Sequence, residues 1–182
     1  MATRTDPIPT RGLTVALRTE AFAVQARSDL DAYEAICRTG LPTCHQLHYL
    51  QMWLEKLCKA YLWLPGAGGD ELRFQHNVVA KVLPQLVREH WRRIEFTRQP
   101  DVSAIRALCR EVDLLHPQVD DAGRRPDNVE YPWITSDGVA IAPAEARFAI
   151  ASRLYAPAGK LLLKAAVRLT RDPAILLPTQ GA

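Results

Sequence analysis

The sequence predicts an all-α fold, an up-and-down helical bundle with a loop or small hairpin insertion near residues 117–143. Three observations predict it. The stretch over roughly residues 45–64 keeps Leu47, Leu50, Leu54, Leu57, Tyr61 and Leu64 at alternating spacings of three and four, a seam of coiled-coil type. A second stripe, Phe22, Ala26, Leu30, Tyr33 and Cys37, precedes it at the same kind of spacing. β-prone runs are confined to two short pieces, 129–134 and 139–141.

The first dozen residues carry Pro7, Pro9 and Gly12 and read as a loose arm, residues 1–14. A first helix is expected over 15–39, ending at Gly40, because glycine suits a helix C-terminus. Pro42 and Thr43 mark the start of the second, with proline in the first turn and threonine as a cap. On that helix Met52, Trp53 and Ala60 add apolar surface off the seam, which places it in the middle of the bundle. His48, Gln51, Glu55 and Lys59 leave it a single polar stripe.

A third helical region runs from about His76 to Phe96, and Pro84 is expected to kink or restart it. The fourth, over 103–115, carries Ile105, Leu108, Cys109, Val112 and Leu115 on one face, with Asp101 or Ser103 as cap and Pro117 as stop. In the insertion, Asp137-Gly138 sits between the two β-prone runs as a hairpin turn. Helical patterning resumes over 143–155 and again over 157–171. The domain therefore spans 15–171, and residues 172–182 form a tail that is loosely packed or docks on a partner.

With 182 residues and 48% of them hydrophobic, the chain suits one domain and fills one core. No apolar run reaches the ~18–20 residues that cross a bilayer, and the start lacks the apolar core of a signal peptide. The expectation is a cytoplasmic chain with no membrane partner. Cys37, Cys44, Cys58 and Cys109 form no close pair and read as core residues with free thiols. A net charge of +3 is too small to name a nucleic-acid partner by itself.

The residues on the first three helices resemble the HEPN superfamily. Asp29 stands where that superfamily shows an aspartate in its first helix, Glu55-Lys56-Leu57-Cys58-Lys59-Ala60 match its signature on the second, and His76 its histidine opening the third. The resemblance covers about residues 21–95. It implies a helical bundle that is frequently a homodimer and acts in bacterial toxin–antitoxin, phage-defence or RNA-processing systems. Some relatives are metal-independent ribonucleases, and others bind nucleotides or serve as silent partners. The leading expectation is a dimerising module that binds a protein partner or a nucleotide. An endoribonuclease and a structural subunit of a larger assembly stand as alternatives, and no cofactor is expected.

The nuclease relatives carry an arginine and a histidine with four to six residues between them. Two pairs fit here. Arg38 and His45 straddle the turn between the first two helices, whereas Arg110 and His116 close the fourth helix and are the candidate catalytic pair. There histidine would serve as general acid or base and arginine would stabilise the developing phosphorane charge. Six helical positions rotate by about 600°, so the two side chains diverge unless the helix unwinds before Pro117.

His45 and His48 beside Cys44, with Cys37 across the turn, offer an incomplete zinc set, and no metal site is expected. The loop PGAGG lacks the lysine of a phosphate-binding loop and reads as a connector. Cations cluster at Lys81, Arg88, Arg92, Arg93 and Arg98. On the last helix Lys160, Lys164, Arg168 and Arg171 form a stripe that is either a solvated face or a site for RNA phosphates. Tyr131 and Trp133 in the insertion are candidate binding residues or buried anchors.

Overall fold

The computed structural model describes residues 14–97, 99–119 and 128–176. The arm over 1–13, Arg98, the middle of the insertion and the last six residues lie outside them. The fold is all-α. Its helices are α1 (Val15–Ile36), α2 (Thr43–Leu62), α3 (Val79–His90), α4 (Val102–Asp113), α5 (Ala149–Leu154) and α6 (Pro157–Arg171). A two-stranded antiparallel hairpin, β1 (Trp133–Ile134) and β2 (Ala140–Ile141), pairs Trp133 with Ile141 and Ile134 with Ala140.

α1 and α2 pack along one another, and α2 also touches α3, α4 and α6, so it is the central helix. Its seam explains why: Leu47, Leu50, Leu54 and Leu57 are buried and Tyr61 and Leu64 half-buried, while Trp53 and Leu62 are buried from the flank. The indole N–H of Trp53 would be costly to bury alone, and it donates to Thr170 Oγ1 of α6 at 2.8 Å. α3 and α4 form the second layer, with Val82, Leu83, Leu86 and Val87 facing Ile105, Leu108, Cys109 and Val112 within one core.

Several boundaries differ from the sequence reading, each for a local reason. α1 stops at Ile36, before Gly40, and the Ile36 carbonyl accepts both the amide and the hydroxyl of Thr39, at 2.9 and 2.8 Å, so this end carbonyl is satisfied without a glycine cap. Cys37 is consequently exposed, while Cys44, Cys58 and Cys109 are buried. Thr43 is the first helical residue of α2 and Pro42 occupies its cap position. α3 begins three residues after His76 and runs through Pro84 without ending there. Pro84 lacks one backbone donor there but lies on the buried face with Val82, Leu83, Leu86 and Val87.

Asp101 caps α4, accepting from the amides of Ser103 and Ala104 at 2.9 and 3.2 Å. Residues Pro143–Glu145 form a 3-10 turn rather than the start of a helix. The tail begins with a further 3-10 turn, Pro173–Leu176, which buries Ile175 and Leu176 in the core instead of leaving them loose.

Candidate functional site

The polar stripe of α2 does not face solvent. Gln51, Glu55 and Lys59 are all buried, and Glu55 is 1% exposed. A bare carboxylate there would be strongly disfavoured, so its neighbours decide its state. Lys59 Nζ donates to Oε1 at 2.7 Å and Lys56 Nζ to the same oxygen at 3.2 Å. Gln51 Nε2 donates to Oε2 at 2.8 Å. Burial alone would raise the Glu55 carboxyl, but the Lys59 bond, the two ammonium charges and the Gln51 amide outweigh it and hold the group down to about 2. Glu55 is an anion at the floor of the site.

Above it stand two imidazoles. His76 Nδ1 lies 3.4 Å from Glu55 Oε2, and the ring stacks on His116 with centroids 4.2 Å apart and planes 10° from parallel. An ionised carboxylate only accepts, so the proton of neutral His76 is on Nδ1, and Nε2 carries the free lone pair. His116 has the opposite tautomer. Its Nδ1 accepts the backbone N–H of Gln118 at 3.1 Å, which puts the proton of the neutral ring on Nε2. Burial and the neighbouring His76 lower the pKa of His116, against the pull of Glu55 and Glu130. The pair thus presents one acceptor and one donor nitrogen, beside the Lys56 ammonium.

Glu55, His76 and His116 place potential ligand atoms within 4.8 Å of one another, a residue set that suits a divalent transition ion. The geometry opposes that use. Imidazole lone pairs lie in the ring plane, and two nearly parallel stacked rings do not aim them at one point. His116 directs a proton, not a lone pair, away from Gln118. Among the described residues the set Cys37, Cys44, His45 and His48 does not gather into a metal-capable group.

The candidate pair Arg110 and His116 falls on two kinds of local structure. α4 ends at Asp113, so the chain leaves the helix before His116. Arg110 stays on α4 and lines a cavity with Arg106 and Lys81. Arg38 pairs with Glu34 and does not join the site. The α6 stripe is largely engaged within the fold: Arg168 donates to Glu95 at 2.8 Å, Arg171 to Glu34, and Lys164 lies over the Phe96 ring. Lys160 is exposed. Tyr131 is 61% exposed, while Trp133 packs edge-on against Phe148 as an anchor of the hairpin.

Asp113 is the functional neighbour that sequence reasoning missed. It is buried, and its two oxygens accept the first amides of α3, Val79 at 3.0 Å and Ala80 at 2.9 Å. It therefore ties the end of α4 to the start of α3, next to the histidines. Desolvation raises its carboxyl to about 6 despite these two bonds. Helix-face patterning gave no signal for it, because its partners are backbone groups more than thirty residues away.

No family model, curated protein or solved structure matches the chain.

Proposed function

We propose that the protein is an HEPN-like helical module, a dimerising component of a bacterial-type defence or toxin–antitoxin system, whose Glu55–His76–His116 site binds phosphate groups of RNA or of a nucleotide. The observation that carries this reading is the stacked imidazole pair over a buried, lysine-neutralised carboxylate. The signature positions Glu55, Lys56, Lys59 and His76 meet in one place, which is what a shared site requires of them. His116 Nε2–H and the Lys56 ammonium are donors of the kind phosphoryl oxygens accept. Glu55 orients His76 and accepts from both lysines, Lys59 buried beside it and Lys56 nearer the surface.

A second reading is metal-independent RNA cleavage, favoured by the Glu55–His76 contact. A carboxylate behind Nδ1 orients the ring so that Nε2 can take the proton of a 2′-hydroxyl. The 2′-oxygen then attacks phosphorus, the 5′-oxygen leaves and is protonated by solvent, and His116 Nε2–H with Lys56 stabilises the added charge. His76, not Arg110, is the partner of His116 in this scheme.

Incubating the protein with tRNA in the presence of a chelator, beside His76→Ala and His116→Ala, separates the readings. The binding reading predicts intact RNA and at least about tenfold weaker retention by each variant. Chelator-resistant cleavage that vanishes in His76→Ala moves the assignment to a ribonuclease. Equal retention by all three proteins would remove the site from both.

A further inference from the structure

A cavity of about 680 Å³ lies between α3 and α4, lined by Ala80, Lys81, Arg106, Arg110, Leu114 and Val119 among others. Its size is that of a small-molecule site. Arg106 and Arg110 are one turn apart on α4 and so share a face. Both are exposed, and among the described residues neither makes an ion pair. Lys81 Nζ is steadied by two amide oxygens, Gln75 Oε1 at 2.8 Å and Asn77 Oδ1 at 3.2 Å, which orient the ammonium without cancelling its charge. The carboxylate in the lining, Asp113, is committed to the amides of α3. The cavity is thus a cationic recess with an apolar wall.

It also adjoins the histidine site through the chain. Asn77 follows His76 directly, Leu114 lies two residues before His116, and the Val119 amide donates to the His116 carbonyl at 3.2 Å. We propose that this cavity is a second RNA subsite, taking the nucleotide next to the one held at His76 and His116, with its phosphate on Arg106, Arg110 and Lys81. The base lies against Ala80, Leu114 and Val119. Two cationic places on adjoining walls match a polymer with a phosphate at every step better than a single nucleotide. The proposal rests on the phosphate-binding reading above and extends it to substrate class. It also gives Arg110 a role in holding the strand, one that does not require it to touch His116.

The test is fluorescence anisotropy with a labelled single-stranded RNA of roughly ten nucleotides, within the usual site-size range, across a salt series. The proteins are wild type, Arg106→Gln/Arg110→Gln and His76→Ala. Both arginines are exposed, so the double variant should melt close to wild type, which a thermal scan checks. The subsite predicts at least about tenfold weaker binding by the double variant, and a salt slope smaller by about 0.7, the amount for the one phosphate that is no longer neutralised. Normal affinity and slope in the double variant, with weakened binding by His76→Ala, would discard the cavity and keep the histidine reading. Weakened binding by the double variant alone would keep the cavity as an RNA site and discard the histidines. No binding by wild type, or equal binding by all three, overturns both. Displacement of the RNA by polyglutamate as effectively as by unlabelled RNA would overturn the assignment to nucleic acid.

Discussion

Glu55 is an anion with almost no exposure to water, and its lysine, glutamine and histidine neighbours are arranged around that charge. Its replacement by glutamine keeps the shape and removes the charge that two lysines face. Breaking a buried pair in this way costs about 3–5 kcal/mol. Glu55→Gln should therefore lower stability to urea by that order, and adding Lys59→Met should recover part of it; a variant as stable as wild type would show that the cluster is solvated. Asp113 behaves differently. Its folded carboxyl sits near 6, above its ordinary value, so its contribution is fully present below about pH 4 and is lost as pH rises through 6. The displacement corresponds to roughly 3 kcal/mol. Glu55, held down to about 2, acts in the opposite sense, and its contribution fades only as pH falls below about 4.5. Urea midpoints at pH 4.5 and 7 should accordingly fall more steeply with pH in wild type than in Asp113→Asn, and parallel pH profiles would contradict the raised carboxyl.

At the scale of elements, the seam of α2 was legible from Leu47 to Leu57 because heptad spacing reports burial, while its last two members, Tyr61 and Leu64, are half-buried and the off-seam Leu62 is buried instead. The polar stripe beside it was visible as Gln51, Glu55 and Lys59, but its burial was not. Nor was its contact with His76, which stacks on His116; the two histidines arrive from segments 21 and 61 residues beyond Glu55. Periodicity within one helix cannot report what another segment lays over it. The same limit explains Arg110 and His116: both were visible as candidates, yet spacing says nothing of the stacking partner that His116 finds in His76. Gly159 shows an element-scale constraint of another kind. A Cβ there would run into the carbonyl of Arg153 and the backbone of Leu154, where α5 meets α6. Alanine is the better helix former, but backbone cannot step aside as a side chain can, so the steric effect wins. Gly159→Ala should cost about 1–3 kcal/mol, read as a melting temperature lower by ~2–4 °C for each kcal/mol. An unchanged melting temperature would mean that the α5–α6 corner yields.

For the whole molecule, the bundle acts as a frame that brings one central helix and two loop histidines together. α2 supplies Glu55, Lys56 and Lys59, the segment before α3 supplies His76, and the turn after α4 supplies His116. Asp113 holds the two outer pieces in register. In the proposed function these parts form one phosphate-binding site with opposed histidine tautomers. Nitrogen-detected NMR of the imidazole rings, recorded near pH 7 with and without a short RNA, tests that site most directly. The expected spectrum has a proton on Nε2 of free His116 and on Nδ1 of free His76, with RNA shifting both rings and leaving the exposed His45 unmoved. The same tautomer in both rings, or an RNA titration that leaves His76 and His116 where they were, would contradict it.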